Sequence, residues 1–281
     1  MESVHVMVLG NGFDLAVGRK TSYKNFYDSG LCPTDFPSPI IDYLNRHMNQ
    51  DPEAHNWLDL ENTLRNYALE SMNNPSDFFS SDDDGCLCAS EHLALQTIED
   101  QLMRYLAEQH MPAPSADNKA LQLLRECVSD GAEIYSFNYT GLGELLTQNK
   151  KEAALLDATI HYMHGSILDN HIIIGAKDGN YGRFDFVQKS FDSRFNPPSL
   201  GRALLRADKV TIFGHSLGDC DSQYFKPFFL NQTSNNCMSK VIRIYTDTPD
   251  SMLSIKRNIQ TMTDNHLSWI YSLNDFRIET C

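Results

Sequence analysis

Val4-His5-Val6-Met7-Val8-Leu9-Gly10-Asn11-Gly12-Phe13-Asp14 is the stretch on which the fold turns. Val4–Leu9 is a short apolar run rich in Val, the composition of a buried strand. It stops abruptly at a glycine pair. A strand running into such a turn near a chain start is a familiar opening of a nucleotide-binding α/β unit.

Working outward, residues 38–110 change character. Apolar spacing predicts helices over Ile40–His47, Trp57–Met72 and Glu91–His110, with no convincing strand among them. Between the last two, Asn73–Gly85 is polar and reads as a solvated loop; its Asp82-Asp83-Asp84 are neighbours whose side chains rarely converge on one ion. Met111-Pro112-Ala113-Pro114 breaks the helical pattern. From Asp117 onward strands and helices alternate. Strands are predicted at Ala132–Phe137, Thr159–Met163, Val210–Phe213, Val241–Thr246 and Leu267–Leu273. Helices are predicted at Asp117–Ser129, Leu142–Asn149, Leu200–Arg206, Ser222–Leu230 and Pro249–Met262, and Lys177–Pro198 reads as a long polar loop. Alternation of this kind predicts a three-layer α/β fold with a mostly parallel sheet. The domain plan is then residues 1–36 with 117–281 as the α/β body and 37–116 as a helical insertion.

The chain has 281 residues, 41% of them hydrophobic, which is ample material for a core. Its net charge of −14 repels phosphate backbones and anionic lipid, so broad nucleic-acid or membrane-surface binding is disfavoured. A local phosphate site made of backbone N–H groups does not depend on net charge. No run approaches the ~20 apolar residues of a membrane span, and no basic leader precedes the first strand. Seven scattered cysteines, with Cys86 and Cys88 a lone Cys-x-Cys, encode neither a disulfide framework nor a four-cysteine zinc site. The expectation is a soluble cytoplasmic protein with no metal and no prosthetic group.

Ligands of open α/β sheets bind at the carboxyl ends of the strands. Four predicted strands end in polar groups: Gly10-Asn11-Gly12-Phe13-Asp14, Asn138-Tyr139-Thr140, His164-Gly165-Ser166 and Gly214-His215-Ser216-Leu217-Gly218-Asp219. Singly, each has an ordinary structural reading: a tight turn, a left-handed Asn, a packed loop His. Together, at one predicted edge, they mark a candidate site.

These segments, with Lys20-Thr21-Ser22-Tyr23, Trp57-Leu58-Asp59-Leu60-Glu61 and Asp221, resemble in order the AbiH family of phage abortive-infection proteins, with a sirtuin-like Rossmann fold. The resemblance covers positions 8–221. It implies that Gly10, Asn11 and Gly12 lie against a dinucleotide, that Gly214 and Ser216 contact its phosphate and ribose, and that Asp221 belongs to the same cofactor-binding set. It implies that Asn138 orients ribose and water and that His164 is the catalytic base. Asp14 either holds a ribose hydroxyl or caps the helix that follows; Glu61 either enters the site or is a helix-surface carboxylate. Protein-deacylating sirtuins carry a zinc module with two Cys-x-x-Cys pairs, which this chain lacks. The implied activity is therefore hydrolysis of NAD+ or a related nucleotide at the N-glycosidic bond, in a homo-oligomer or with a partner defence protein.

The same residues admit two other readings. Gly214-His215-Ser216-Leu217-Gly218 satisfies the Gly-x-Ser-x-Gly elbow of α/β-hydrolases, with Asp247 and His266 following in the chain order of that triad. Alternatively the fold holds a nucleotide as a sensor without turning it over.

Overall fold

The computed structural model describes residues 3–49, 60–73, 84–109, 114–115 and 117–281. The chain divides into two compact units: Met1–Arg19, His110–Ser166 and Pro197–Cys281 in one, Lys20–Gln109 and Ile167–Asn196 in the other. The second unit thus gathers residues 20–36 and 167–196 with most of the stretch read as inserted.

In the first unit, strands β1 (His5–Leu9), β2 (Glu133–Ser136), β3 (His161–Tyr162), β4 (Lys209–Phe213), β5 (Val241–Thr246) and β6 (Asp275–Thr280) form one sheet. Their order is β3-β2-β1-β4-β5-β6 and every pairing is parallel. This is the order of doubly wound dinucleotide-binding sheets, which switch direction between β1 and β4. β1 sits at that switch point, and Val6, Met7, Val8 and Leu9 are all 0% exposed. Val6 and Val8 pack with Val210, Ile212 and Ile244 against helices Leu200–Arg206, Ser222–Asn231 and Pro249–Met262. Met7 and Leu9 pack on the other face with Ile134, Phe13 and the Leu121 and Leu124 side chains of helix Lys119–Ser129. Burying each such side chain is worth about 1.5–3 kcal/mol, so β1 contributes to both apolar layers.

Several predicted elements are redrawn. Leu267–Leu273 is a helix, and the last strand is Asp275–Thr280. A short apolar run does not by itself distinguish the two states; packing of Ile270 decides the helix, while Phe276 between Asp275 and Arg277 has the alternation of a charged edge strand. Leu142–Asn149 holds the short helix Gly143–Leu146, and a second helix, Lys150–Asp157, follows. Asp157 Oδ1 accepts the Leu142 and Gly143 N–H groups at 2.7 and 2.9 Å, and Asn149 caps the second helix. Asn118 caps the helix predicted at Asp117–Ser129, which runs over Lys119–Ser129. Trp57, Leu58, Asp59, Asp82, Asp83 and Met111-Pro112-Ala113 lie outside the described residues.

The second unit contains helices Tyr23–Asp28, Pro39–Asn49, Leu60–Asn73 and Asp84–Glu108. The polar-looking 177–196 stretch conceals two 3-10 turns, Gly182–Val187 and Lys189–Phe191, that bury Phe184, Val187 and Lys189. Tyr67 packs edge-on against Tyr43 and Phe184, and its hydroxyl donates to Glu91. Glu99 accepts from Ile174 N–H at 2.9 Å and pairs with Arg194 at 3.1 Å. Burial pushes the carboxyls of Glu91 and Glu99 up from 4.5 to about 7.

An acid whose folded value is raised contributes stability that is complete below about 4.5 and lost as pH rises through about 7. In the first unit the sign is opposite: burial, with Lys209 nearby, pulls His5 down from 6.5 to about 4, so its contribution is complete above 6.5 and lost as pH falls toward 4. Amide-exchange protection of Leu60–Asn73 and Asp84–Glu108, corrected for intrinsic rate, should therefore fall between pH 5 and 7.5. Glu91→Gln and Glu99→Gln should flatten that fall; protection that rises with pH would contradict it.

Candidate functional site

Register places the polar strand ends in one row. Tyr162, Ser136, Leu9, Phe213 and Tyr245 are successive partners across β3, β2, β1, β4 and β5. Two residues beyond them stand His164, Asn138, Asn11, His215 and Asp247. The ladder continues one step past the strands, with Met163 N–H to Ser136 O at 2.8 Å, Phe137 N–H to Leu9 O at 2.8 Å and Gly10 N–H to Phe213 O at 3.0 Å. The row is therefore held by backbone bonding and not by loop chance.

The glycines have a structural account. A Cβ on Gly10 would stand 2.6 Å from Gly214 O and His215 Cα, and one on Gly12 2.7 Å from Gly214 Cα. Gly214 has φ +64°, and a Cβ there would collide with Phe13 N. The N–H groups of Gly10 and Gly12 donate to Phe213 O and Gly214 O, and that of Phe13 to Gly10 O. The close approach these glycines permit is thus between the two loops that flank the switch point. Asn11 begins the short helix Asn11–Ala16.

Beside the zipped loops lies a carboxylate between two histidines. Asp221 Oδ1 is 3.7 Å from His164 Nε2, and Asp221 Oδ2 is 3.5 Å from His215 Nε2. Both imidazoles are 4% exposed and the carboxylate 18%. Phe137 walls the group, edge-on to His164 at 5.3 Å and to His215 at 4.3 Å. Leu217, held at φ +53°, donates its N–H to His215 Nδ1 at 2.9 Å. A left-handed leucine is uncommon and marks a backbone fixed by its surroundings.

Asn138 is buried at 4% exposure, and neither its Nδ2 nor its Oδ1 finds a hydrogen-bond partner among the described groups. Native structures leave few such groups, and each costs about 1–3 kcal/mol. The backbone around it is satisfied, with Asn138 N–H donating to Ser136 Oγ at 3.1 Å.

Asp14 is engaged elsewhere. It is fully buried; Oδ1 accepts from Arg19 Nη1 at 3.1 Å and Oδ2 from Thr140 Oγ1 at 2.6 Å. Arg19 also donates to Thr140 Oγ1 at 2.8 Å and Gly141 O at 2.7 Å. The visible role of Asp14 is to tie the loop after β1 to the loop after β2. Glu61, in the second unit, pairs with Lys189 at 2.9 Å, a lysine 1% exposed, and so is neither an idle surface carboxylate nor unengaged.

The serine-hydrolase triad is not assembled. Ser216 is exposed, its Oγ accepts the Gly218 N–H at 3.3 Å, and the left-handed backbone falls on Gly214 and Leu217 instead. The helix begins only at Ser222. Asn258, within helix Pro249–Met262, donates to Ser216 O at 2.9 Å, and His266 lies past the end of that helix. There its Nδ1–H donates to Thr263 O at 2.9 Å.

His215 and Arg19 are the residues that sequence reading passed over. For His215 the signal was available: it is the residue two past the end of β4, in the same row as Asn138 and His164. Among the described residues no three His, Cys, Asp or Glu side chains stand where they could hold a metal ion together. No described helix is long and apolar enough to cross a membrane.

A doubly wound parallel sheet with polar residues gathered at the carboxyl ends of its central strands defines a Rossmann-like protein, with its strand order switching between β1 and β4. The family model for bacteriophage abortive infection AbiH matches residues 6–243, most of the chain, and the chain belongs to that family. No curated protein matches it.

Proposed function

We propose that this abortive-infection protein hydrolyses NAD+ or a related nucleotide at its N-glycosidic bond, using Asn138 and His164 in a sirtuin-like arrangement. The observation that carries this reading is the buried carboxamide of Asn138, without a partner among the described residues, two residues past β2 and in register with His164 two residues past β3. A group left unsatisfied at a strand end is stabilised when a ligand supplies the missing partners. A ribose offers both donor and acceptor hydroxyls to a carboxamide. The bond to nicotinamide breaks with oxocarbenium character, water adds at the anomeric carbon, and His164 takes the proton that water releases. Nicotinamide leaves as a neutral amide and ADP-ribose remains. Exposed Ser216 and the start of helix Asn11–Ala16 are the groups proposed to meet the rest of the nucleotide. No prosthetic group or metal enters the scheme, and partners are the nucleotide and either a second copy or another defence protein.

The test is incubation of near-stoichiometric protein with NAD+, following nicotinamide and ADP-ribose by chromatography. Product is expected from the wild type and a loss of at least about 100-fold from His164→Ala. Intact NAD+ bound by both proteins would replace hydrolysis with the sensor reading.

A further inference from the structure

We infer that Asp221 is a positioning residue, held by His215, that fixes the tautomer of His164 and leaves its Nδ1 as the proton acceptor. The role of His164 as base rests on the function proposed above; the tautomer does not. Leu217 N–H donates to His215 Nδ1, so that nitrogen is the acceptor and neutral His215 carries its proton on Nε2, facing Asp221 Oδ2 at 3.5 Å. The His215 ring is therefore oriented by backbone, and Asp221 is oriented by His215. The other carboxylate oxygen, Oδ1, faces His164 Nε2 at 3.7 Å. A carboxylate at that nitrogen favours the proton on it and puts the lone pair on Nδ1, the logic by which a second partner sets which imidazole nitrogen reacts. Catalytic hydrogen bonds often tighten only in the complex with substrate.

The surroundings favour the arrangement. Among the groups around His164 are Asp221, the aromatic edge of Phe137 and the Tyr224 ring at 6.1 Å, with His215 beyond the carboxylate. Apolar walls strengthen the carboxylate's pull on both rings. Asp221 also lies just before helix Ser222–Asn231, whose Phe225 stacks on Phe137, so its backbone is fixed by the same core that holds the histidines.

The experiment reads the histidines directly, by long-range nitrogen–proton NMR correlation of the full chain across pH. In the wild type, His164 should carry its neutral-state proton on Nε2. In Asp221→Asn its titration midpoint should drop by about one unit and the tautomer preference weaken; His215→Gln should do the same to a smaller degree. A wild-type His164 with its proton on Nδ1, or a folded Asp221→Asn with an unchanged His164 titration, would overturn the inference. Should Asp221→Asn not fold, the wild-type tautomer and His215→Gln still decide it. Where the wild type turns over NAD+, Asp221→Asn should lose about 100-fold in kcat with KM within about threefold, and an unchanged kcat would also overturn it. A wild type that leaves NAD+ intact defeats the proposed reaction, whereas the NMR result stands or falls separately.

Discussion

Asn138→Ala is expected to abolish NAD+ hydrolysis, by at least about 100-fold in kcat/KM, without destabilising the protein. Most buried polar residues give the opposite pairing. A buried Asn kept for structure makes hydrogen bonds, and truncating it strands its partners at about 1–3 kcal/mol each. Asn138 has no described side-chain partner to strand. Truncation removes two unsatisfied atoms, a gain that offsets the small volume left behind. The melting temperature should stay within about 3 °C of wild type, given about 2–4 °C per kcal/mol for a protein of this size. The loss in turnover follows if the carboxamide meets the ribose more strongly in the transition state than in the ground state, since one such hydrogen-bonding group is worth about 10²–10³ in kcat. Thermal melts and single-turnover product assays on the same preparation decide the matter. A marked fall in melting temperature with turnover intact would make Asn138 a structural residue and remove the observation on which the proposed function stands.

How much of this was legible beforehand differs from element to element. β1 and its glycine turn could be read because every β1 residue is buried and all but His5 are apolar, and the turn uses the residue that tolerates close approach. β5 and helix Pro249–Met262 could be read because alternation in one and a Thr–Pro start in the other are local signals. The reversal of strand order was not legible. Nothing local in Lys209–Phe213 says that it pairs with β1 and not with β3; that is settled by both faces of the sheet being covered. Leu267–Leu273 misled because a seven-residue apolar run fits either period. The 177–196 stretch misled because Lys189, one of its polar residues, is buried by pairing with Glu61 from far along the chain. In the site, Asn138 and His164 were legible as strand-end polar residues, whereas His215 was hidden by attention to the serine beside it. The register that aligns all three appears only once the sheet is paired. Gly10 and Gly12 could be read as positions requiring small residues, but that their neighbour is Gly214, about 200 positions away, is something no sequence pattern names.

Arg19→Met is expected to cost about 3–5 kcal/mol, the penalty for leaving a fully buried carboxylate without its cation. The geometry makes the case a stringent one. Asp14 is 0% exposed and the Arg19 side chain 3%, so neither can turn to solvent when its partner is lost. Three Arg19 contacts would vanish together, to Asp14, Thr140 Oγ1 and Gly141 O. Asp14→Leu should cost a comparable amount by stranding the guanidinium. The double variant Asp14→Leu/Arg19→Met should recover much of either loss, because replacing a buried pair with apolar groups of similar volume is often close to neutral. Urea midpoints interpreted at constant slope should then give a coupling of at least about 2 kcal/mol between the two positions. Single variants that each cost less than about 1 kcal/mol would show that the pair does not pin the two loops. The double variant also separates stability from function. Thr140 lies two residues past Asn138, and its hydroxyl is held by both members of the pair. A protein that regains its urea midpoint while its turnover stays low would show that this pair matters to the site beyond its contribution to stability.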